Sequence, residues 1–449
     1  MKETFSWSWV EEQVAQTATV WEECAARPWK GGERYSPREQ RGREKAYDEG
    51  LRAVEREARK APGTKAERLE TQRRIVATFP RFAAVALGLE GETVQLLTDG
   101  FLPAGAQFAR WARRLDATLS MADVIQACRN AWTACGLQPL LGEPMRITPS
   151  ILGYSLLYPY SDNYLDDEHA SKAEKLDFSA RFRERLSGHT LSARDHREEA
   201  VWAMVQLIEE QYPRSSYPQV FECLLAIHRA QELSIAQLNG RSLDDDPEVL
   251  RISCAKGGTS VLADACLSHG WLSEEESRFS FEWGALLQLG DDLQDVREDL
   301  ERGSVSLFSR AAATGKPMDS LVTQLLNFSD RVASRIERFP NGPAKLKALL
   351  RMSWRSLILM AVAQEQEFFS PAFLVELEGF SPFRFDFLRA RHKRFSGRQG
   401  LYASVFDAFL EAGEDDNDGL GRPADGMEPF VEDEDALLPD LMAMGSSRG

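Results

Sequence analysis

Residues 278–300 read RFSFEWGALLQLGDDLQDVREDL. The stretch has no two-residue alternation and is too long for a strand, so it reads as a helix running to about Leu300. Its start lies just upstream, where Ser273 followed by Glu276 has the pattern of a capping box. At 3.6 residues per turn, Asp291, Asp295 and Asp299 stack at i, i+4 and i+8, on the side that carries Gly284 and Gln288 one to two turns earlier. Like charges spaced this way repel by about 0.2–0.5 kcal/mol per pair even when exposed. A divalent cation removes that penalty.

Two other segments share this design. In TPSILGYSLLYPYSDNYLDD (148–167), Thr148 and Pro149 form an N-cap and first-turn proline, and the apolar run ends at Asp162 and Asp166, again four apart. Pro159 should kink this helix. In YPQVFECLLAIHRAQELSIAQL (217–238), Val220, Leu224, Ile227, Gln231 and Ser234 share a face, which leaves Gln231 as a polar residue in an apolar stripe.

The surrounding chain fits an all-α protein. Its 449 residues are 43% hydrophobic, enough for a substantial core. Residues 1–76 read as a charged helical N-terminal extension, broken at APGTK (61–65), and the compact core is expected from residue 77 to 411. Beyond residue 317, two amphipathic helices and a shorter aromatic segment follow. Residues 412–449 hold most of the acidity, with twelve Asp or Glu from Glu411 onward against Arg422 and Arg448, and are expected to be disordered.

Several function classes are disfavoured. The net charge of -16 argues against nucleic acid as the main partner. There is no apolar run of membrane-spanning length and no signal-peptide pattern at MKETFSWSWVEEQ, so a cytoplasmic protein without an integral membrane segment is expected. The six cysteines form no CxxC pair and are expected to be reduced core residues. The oligomeric state is open, a homodimer included.

The ligand type narrows the metal. Carboxylates with no nearby His/Cys set suit Mg²⁺ or Mn²⁺ rather than zinc, and Mg²⁺ commonly shares its shell with substrate phosphates. Two acidic clusters facing each other across a bundle would hold a diphosphate above an apolar cavity.

At this point DNYLDD (162–167) and QLGDDLQDVREDL (288–300) resemble the two aspartate-rich motifs of the class I isoprenoid (terpenoid) synthase superfamily. The resemblance spans roughly residues 100–365 and implies a terpenoid-synthase helical bundle with a central apolar cavity. It implies Asp162, Asp166 and Asp167 as one metal-binding set. For the second set it implies either Asp291, Asp295 and Asp299 or Asp291, Asp292 and Asp295.

The leaving diphosphate also needs cations. Arg251 and Lys256 in RISCAKGGTS (251–260) are candidates, with Gly257-Gly258 breaking the helix so that backbone N–H groups approach a phosphate. Arg297 and Gln231 are further candidates, and Tyr154, Tyr158, Phe221 and Trp283 could stabilise a carbocation.

The first motif is DxxxDD, without the Arg-Arg-Gly of chain-elongating synthases, and resembles squalene/phytoene and bacterial large-terpene synthases; the second has the DDxxD form. The mixture suggests a divergent terpene synthase that ionises a linear prenyl diphosphate through Asp162, Asp166, Asp291, Asp295 and Lys256. The alternatives are a prenyl diphosphate synthase or condensing prenyltransferase, and a non-catalytic protein binding a prenyl lipid or a partner. No DxDD motif supports protonation-initiated cyclisation.

Overall fold

The computed structural model describes residues 5–58 except Ala26, 91–166, 170–238 and 245–396, with scattered positions between 64 and 89. Every regular element among them is helical. The N-terminal part contains α1 (Trp7–Ala25), α2 (Pro37–Ala58) and α3 (Gly91–Leu96). A π-turn, Leu97–Phe101, leads into α4 (Leu102–Leu115) and α5 (Met121–Leu140). Then come α6 (Pro149–Asp166), α7 (Lys172–Leu186), α8 (His196–Gln211) and α9 (Pro218–Leu238). Next are α10 (Asp246–His269), α11 (Glu274–Gln294), α12 (Val296–Arg302) and α13 (Leu307–Ala313). The chain continues through α14 (Asp319–Ile336), α15 (Ala344–Gln364), α16 (Pro371–Glu378) and α17 (Phe385–Ser396).

Local signals set the helix starts. Ser273 and Glu276 form the expected capping box at α11, and Ser120 with Asp123 and Ser171 with Glu174 do the same at α5 and α7. Thr148 Oγ1 accepts from the Ile151 amide at the start of α6, with Pro149 at its first position.

The centre of the fold is α10, which is buried on most of its circumference and packs on α1, α5, α6, α9 and α11. Its closest crossing is with α11, and glycines permit it. A Cβ on Gly284 would stand 2.0 Å from the Gly257 carbonyl oxygen, and one on Gly258 would stand 2.6 Å from the Phe281 ring. The Gly257-Gly258 pair therefore does not break the helix, as the sequence reading had it. It lies inside an unbroken α10 and lets a second backbone approach.

The N-terminal helices pack against the rest of the chain. Val10, Val14, Trp21 and Cys24 of α1 belong to the main core, and α1 packs on α10 and α14. The charged helix α2 is tied to the C-terminal part through Glu44–Arg384 and Asp48–Arg391. The six cysteines are free and buried, as expected. The segment read as a disordered tail, 412–449, lies outside the described residues, as does most of the break read at 61–65.

One buried ion pair ties α11 to α14: Arg335 lies 2.8 Å from Glu282, whose second oxygen has no partner. Burial outweighs Arg335, Arg331, Arg278 and Arg338 and pushes the Glu282 carboxyl up to about 7. Folding therefore favours its protonated form, and its contribution to stability falls as pH rises from the ordinary carboxylate range through 7. Urea unfolding at pH 5 and pH 8 should show that Glu282→Gln removes about 2 kcal/mol of the stability lost between the two. An unchanged pH dependence would contradict this.

Candidate active site

A cavity of about 720 Å³ lies among α4, α5, α6, α7, α9, α10, α11 and α15. Its size falls within the roughly 300–1,000 Å³ common for small-molecule sites. Most of its wall is apolar and aromatic, with Tyr154, Phe182, Trp283 and Trp354 contributing rings. Trp283 and Trp354 have centroids 5.1 Å apart, and the Tyr154 hydroxyl donates to the Ser260 carbonyl at 3.2 Å. Such faces suit an apolar or cationic ligand.

Polar groups gather where the cavity meets solvent. Asp291 and Asp295 line this part from α11 and its C-cap, and Arg129 lines it from α5. Arg129 donates to Asp291 at 2.7 Å, with both side chains partly exposed. Gln126 and Asn130 of α5, Lys256 of α10, Gln231 of α9 and Gln288 of α11 also reach the lining.

The acidic column is bent. Asp295 ends α11, and α12 starts at Val296, although the Asp299 amide still donates to the Asp295 carbonyl at 2.8 Å. Desolvation, then the charges of Asp291, Glu298 and Asp299, push the Asp295 carboxyl up to about 6. Arg129 opposes the rise without cancelling it.

The other two members turn elsewhere. Asp292 is buried between α10 and α11, accepting from Ser253 Oγ and Gln288 Nε2 at 2.8 Å each, and burial pushes it up to about 7. Asp299 accepts from Ser306 Oγ at 2.9 Å and is raised mainly by burial. The charge of Lys256 acts on both, opposing the rise.

Among the described residues no group of three or more His, Cys, Asp or Glu is arranged to hold a metal ion. Asp291 and Asp295 fit the hard oxygen donors that Mg²⁺ takes. Asp292 and Asp299, already hydrogen-bonded inside the protein, fit it less well. From the first motif, the backbone of Asp162 and Asp166 forms the end of α6, with the α6 residues Tyr154, Leu157 and Ser161 lining the cavity. The side chains of Tyr158, Pro159, Asp162 and Asp166, and all of Asp167, lie outside the described residues.

Of the cationic candidates, Lys256 lines the cavity, whereas Arg251 is exposed on α10 and is not part of the lining. Arg297 reaches Glu365 at 2.8 Å and also Glu367, with Phe368 beneath it, so it is neutralised away from the cavity. Phe221 lies under Arg214 and does not line the cavity. On α9 four members of the predicted stripe face inward, Leu224, Ile227 and Gln231 lining the cavity and Val220 buried, whereas Ser234 is not part of the lining and donates to the Gln231 carbonyl.

Sequence reasoning missed Arg129, His228 and Asp264. Arg129 belongs to a polar stripe, Gln126–Arg129–Asn130–Thr133, opposite the buried Ala127, Ala131 and Cys135, a pattern that was open to inspection. His228 lies near Ser179 Oγ at 3.3 Å, and burial holds it below the ordinary imidazole value. Asp264 is a lone charge in the apolar run SVLADACL.

No helix among the described residues is long and apolar enough to cross a membrane. No model of a known protein family matches this chain, and no curated protein matches it.

Proposed function

We propose that this chain is a Mg²⁺-dependent class I terpene synthase that ionises a linear prenyl diphosphate and converts the allylic cation to a hydrocarbon or alcohol. The observation that carries this is the union of an apolar, aromatic-walled cavity with a lining that includes the paired Asp291 and Arg129 together with Asp295 and Lys256. A chain with one charged end and a long apolar body matches that division.

Asp291 and Asp295 would hold Mg²⁺, joined by Asp162 and Asp166 of α6. The metal, when bound, supplies positive charge that offsets the charge growing on the leaving diphosphate. Lys256 and Arg129 add donors from the cavity lining, and stabilising charge as it develops lowers the barrier to C–O cleavage. Gln231 and Gln288 orient the phosphate oxygens. The cavity walls exclude water from the cation, and Trp283, Trp354 and Tyr154 present ring faces to it.

The test is incubation of purified protein with Mg²⁺ and the C10, C15, C20 and C25 prenyl diphosphates, each alone and paired with isopentenyl diphosphate. Diphosphate release and organic extracts are followed. Product from a single substrate, lost on EDTA addition and reduced roughly 10²-fold by Lys256→Met, is expected. Product only from paired substrates would move the assignment to a prenyltransferase. Absence of diphosphate release from every chain would overturn it in favour of a binding protein.

A further inference from the structure

The core of the fold holds two sulfurs that prenyl diphosphate chemistry leaves idle. Cys223 of α9 and Cys266 of α10 are 43 residues apart in the chain, yet their Sγ atoms stand 2.7 Å apart. Both side chains are 0% exposed within the main core. An S–S bond is about 2.05 Å long, so small side-chain rotations cover the difference.

The two helices already pack on each other and build part of the cavity wall. Leu224, directly after Cys223, lines the cavity, as does Asp264, two residues before Cys266. Burial, then the hydrogen bond and charge of the Cys266 sulfur, hold the Cys223 thiol well above its ordinary range. A thiol reacts as its thiolate, so this pair reacts slowly and, once joined, resists reduction by bulky thiols. The remaining cysteines, Cys24, Cys128, Cys135 and Cys254, are buried elsewhere in the core and act as internal controls.

We propose that Cys223 and Cys266 form a redox site that hydrogen peroxide closes to a disulfide, tying α9 to α10. The site does not depend on what the cavity binds. One thiol sulfur attacks a peroxide oxygen: an S–O bond forms, the O–O bond breaks, and the departing hydroxide takes the thiol proton to leave as water. The sulfur of the second cysteine then attacks the sulfenic sulfur, forming the S–S bond as the S–O bond breaks, and the sulfenic oxygen leaves as water with the second thiol proton. Two thiols are oxidised by two electrons and one peroxide is reduced to two waters. Closing a loop of this length removes freedom from the unfolded chain, which raises the melting temperature by about 4 °C for a chain of this size.

The experiment takes the fully reduced chain, treats it folded with hydrogen peroxide, and alkylates the remaining thiols in denaturant before mass spectrometry. The treatment is repeated just below the melting temperature, where local opening admits the oxidant. Four of the six cysteines should be alkylated, with a peptide pair linking Cys223 to Cys266. Thermal melts of the oxidised and reduced forms should differ by about 4 °C, and Cys223→Ala should abolish both the link and the difference. Six alkylated cysteines under both treatments overturn the proposal, and that result needs no variant to fold. So does a link between any other pair, or a melting difference that survives Cys223→Ala. None of these readouts uses a substrate, so failure here leaves the terpene synthase assignment standing, and failure of that assignment leaves this site standing.

Discussion

On the terpene synthase assignment proposed above, replacing Asp295 by asparagine should lower turnover of a prenyl diphosphate by roughly 10²–10³-fold, with the circular dichroism spectrum unchanged. The side chain is at the C-cap of α11 and lines the cavity where it is only partly covered, so its loss should disturb packing little. It also belongs to a group of carboxylates that raise one another's affinity for protons. Charge of that density is costly without a cation, and removing one carboxylate should relieve the fold while weakening Mg²⁺. The paired measurement is steady-state turnover against Mg²⁺ concentration. Asp295→Asn should need a higher Mg²⁺ concentration for half-maximal rate, while Asp299→Asn, whose carboxyl is already held by Ser306, should change it much less. Equal effects from both would argue for the complete i, i+4, i+8 column as the ligand set.

The second large effect is on folding. Gly284→Ala puts a methyl group 2.0 Å from the Gly257 carbonyl oxygen and 2.9 Å from the Gly258 Cα. Backbone atoms in two packed helices have no rotamer with which to yield, so α10 and α11 must separate along their closest contact. A cost of about 3 kcal/mol or more is expected, at or above the upper end for overpacked cores. Gly290→Ala provides the contrast six residues later on the same helix. A Cβ there meets nothing within 4 Å, and the change should be neutral or stabilising by about 0.5–1 kcal/mol. Thermal melts of the two variants check both. Similar melting temperatures would mean that the α10–α11 crossing tolerates more separation than its geometry implies.

The helical class, the capping box at Ser273, the Thr148–Pro149 start and the cavity-facing stripe through Leu224, Ile227 and Gln231 were all legible in the sequence. Each depends on residues within a few turns of one another, and helical periodicity carries that information directly. Lys256 was named with Arg251 as a cation beside the glycine pair, and of the two it is Lys256 that lines the cavity.

What the sequence did not reveal involves partners distant along the chain. Arg129 meets Asp291 from 162 residues away. Arg297 turns to Glu365 and Glu367, and Asp292 turns inward to Ser253, although its neighbour Asp291 stays at the rim. Successive residues on a helix point about 100° apart, so the neighbouring helix decides which of two adjacent aspartates is buried. Gly257 and Gly258 show the same limit: glycine reads equally well as a helix break or as a close approach, and only the opposing Gly284 selects between them. Only the surrounding helices show that Asp264 is buried with both of its oxygens unpartnered. The sequence by itself determined the helices, their caps and their faces, because those follow from contacts within one element. The tertiary structure alone decided which charges meet, which are neutralised and which remain buried, because burial and pairing are properties of the helices assembled together.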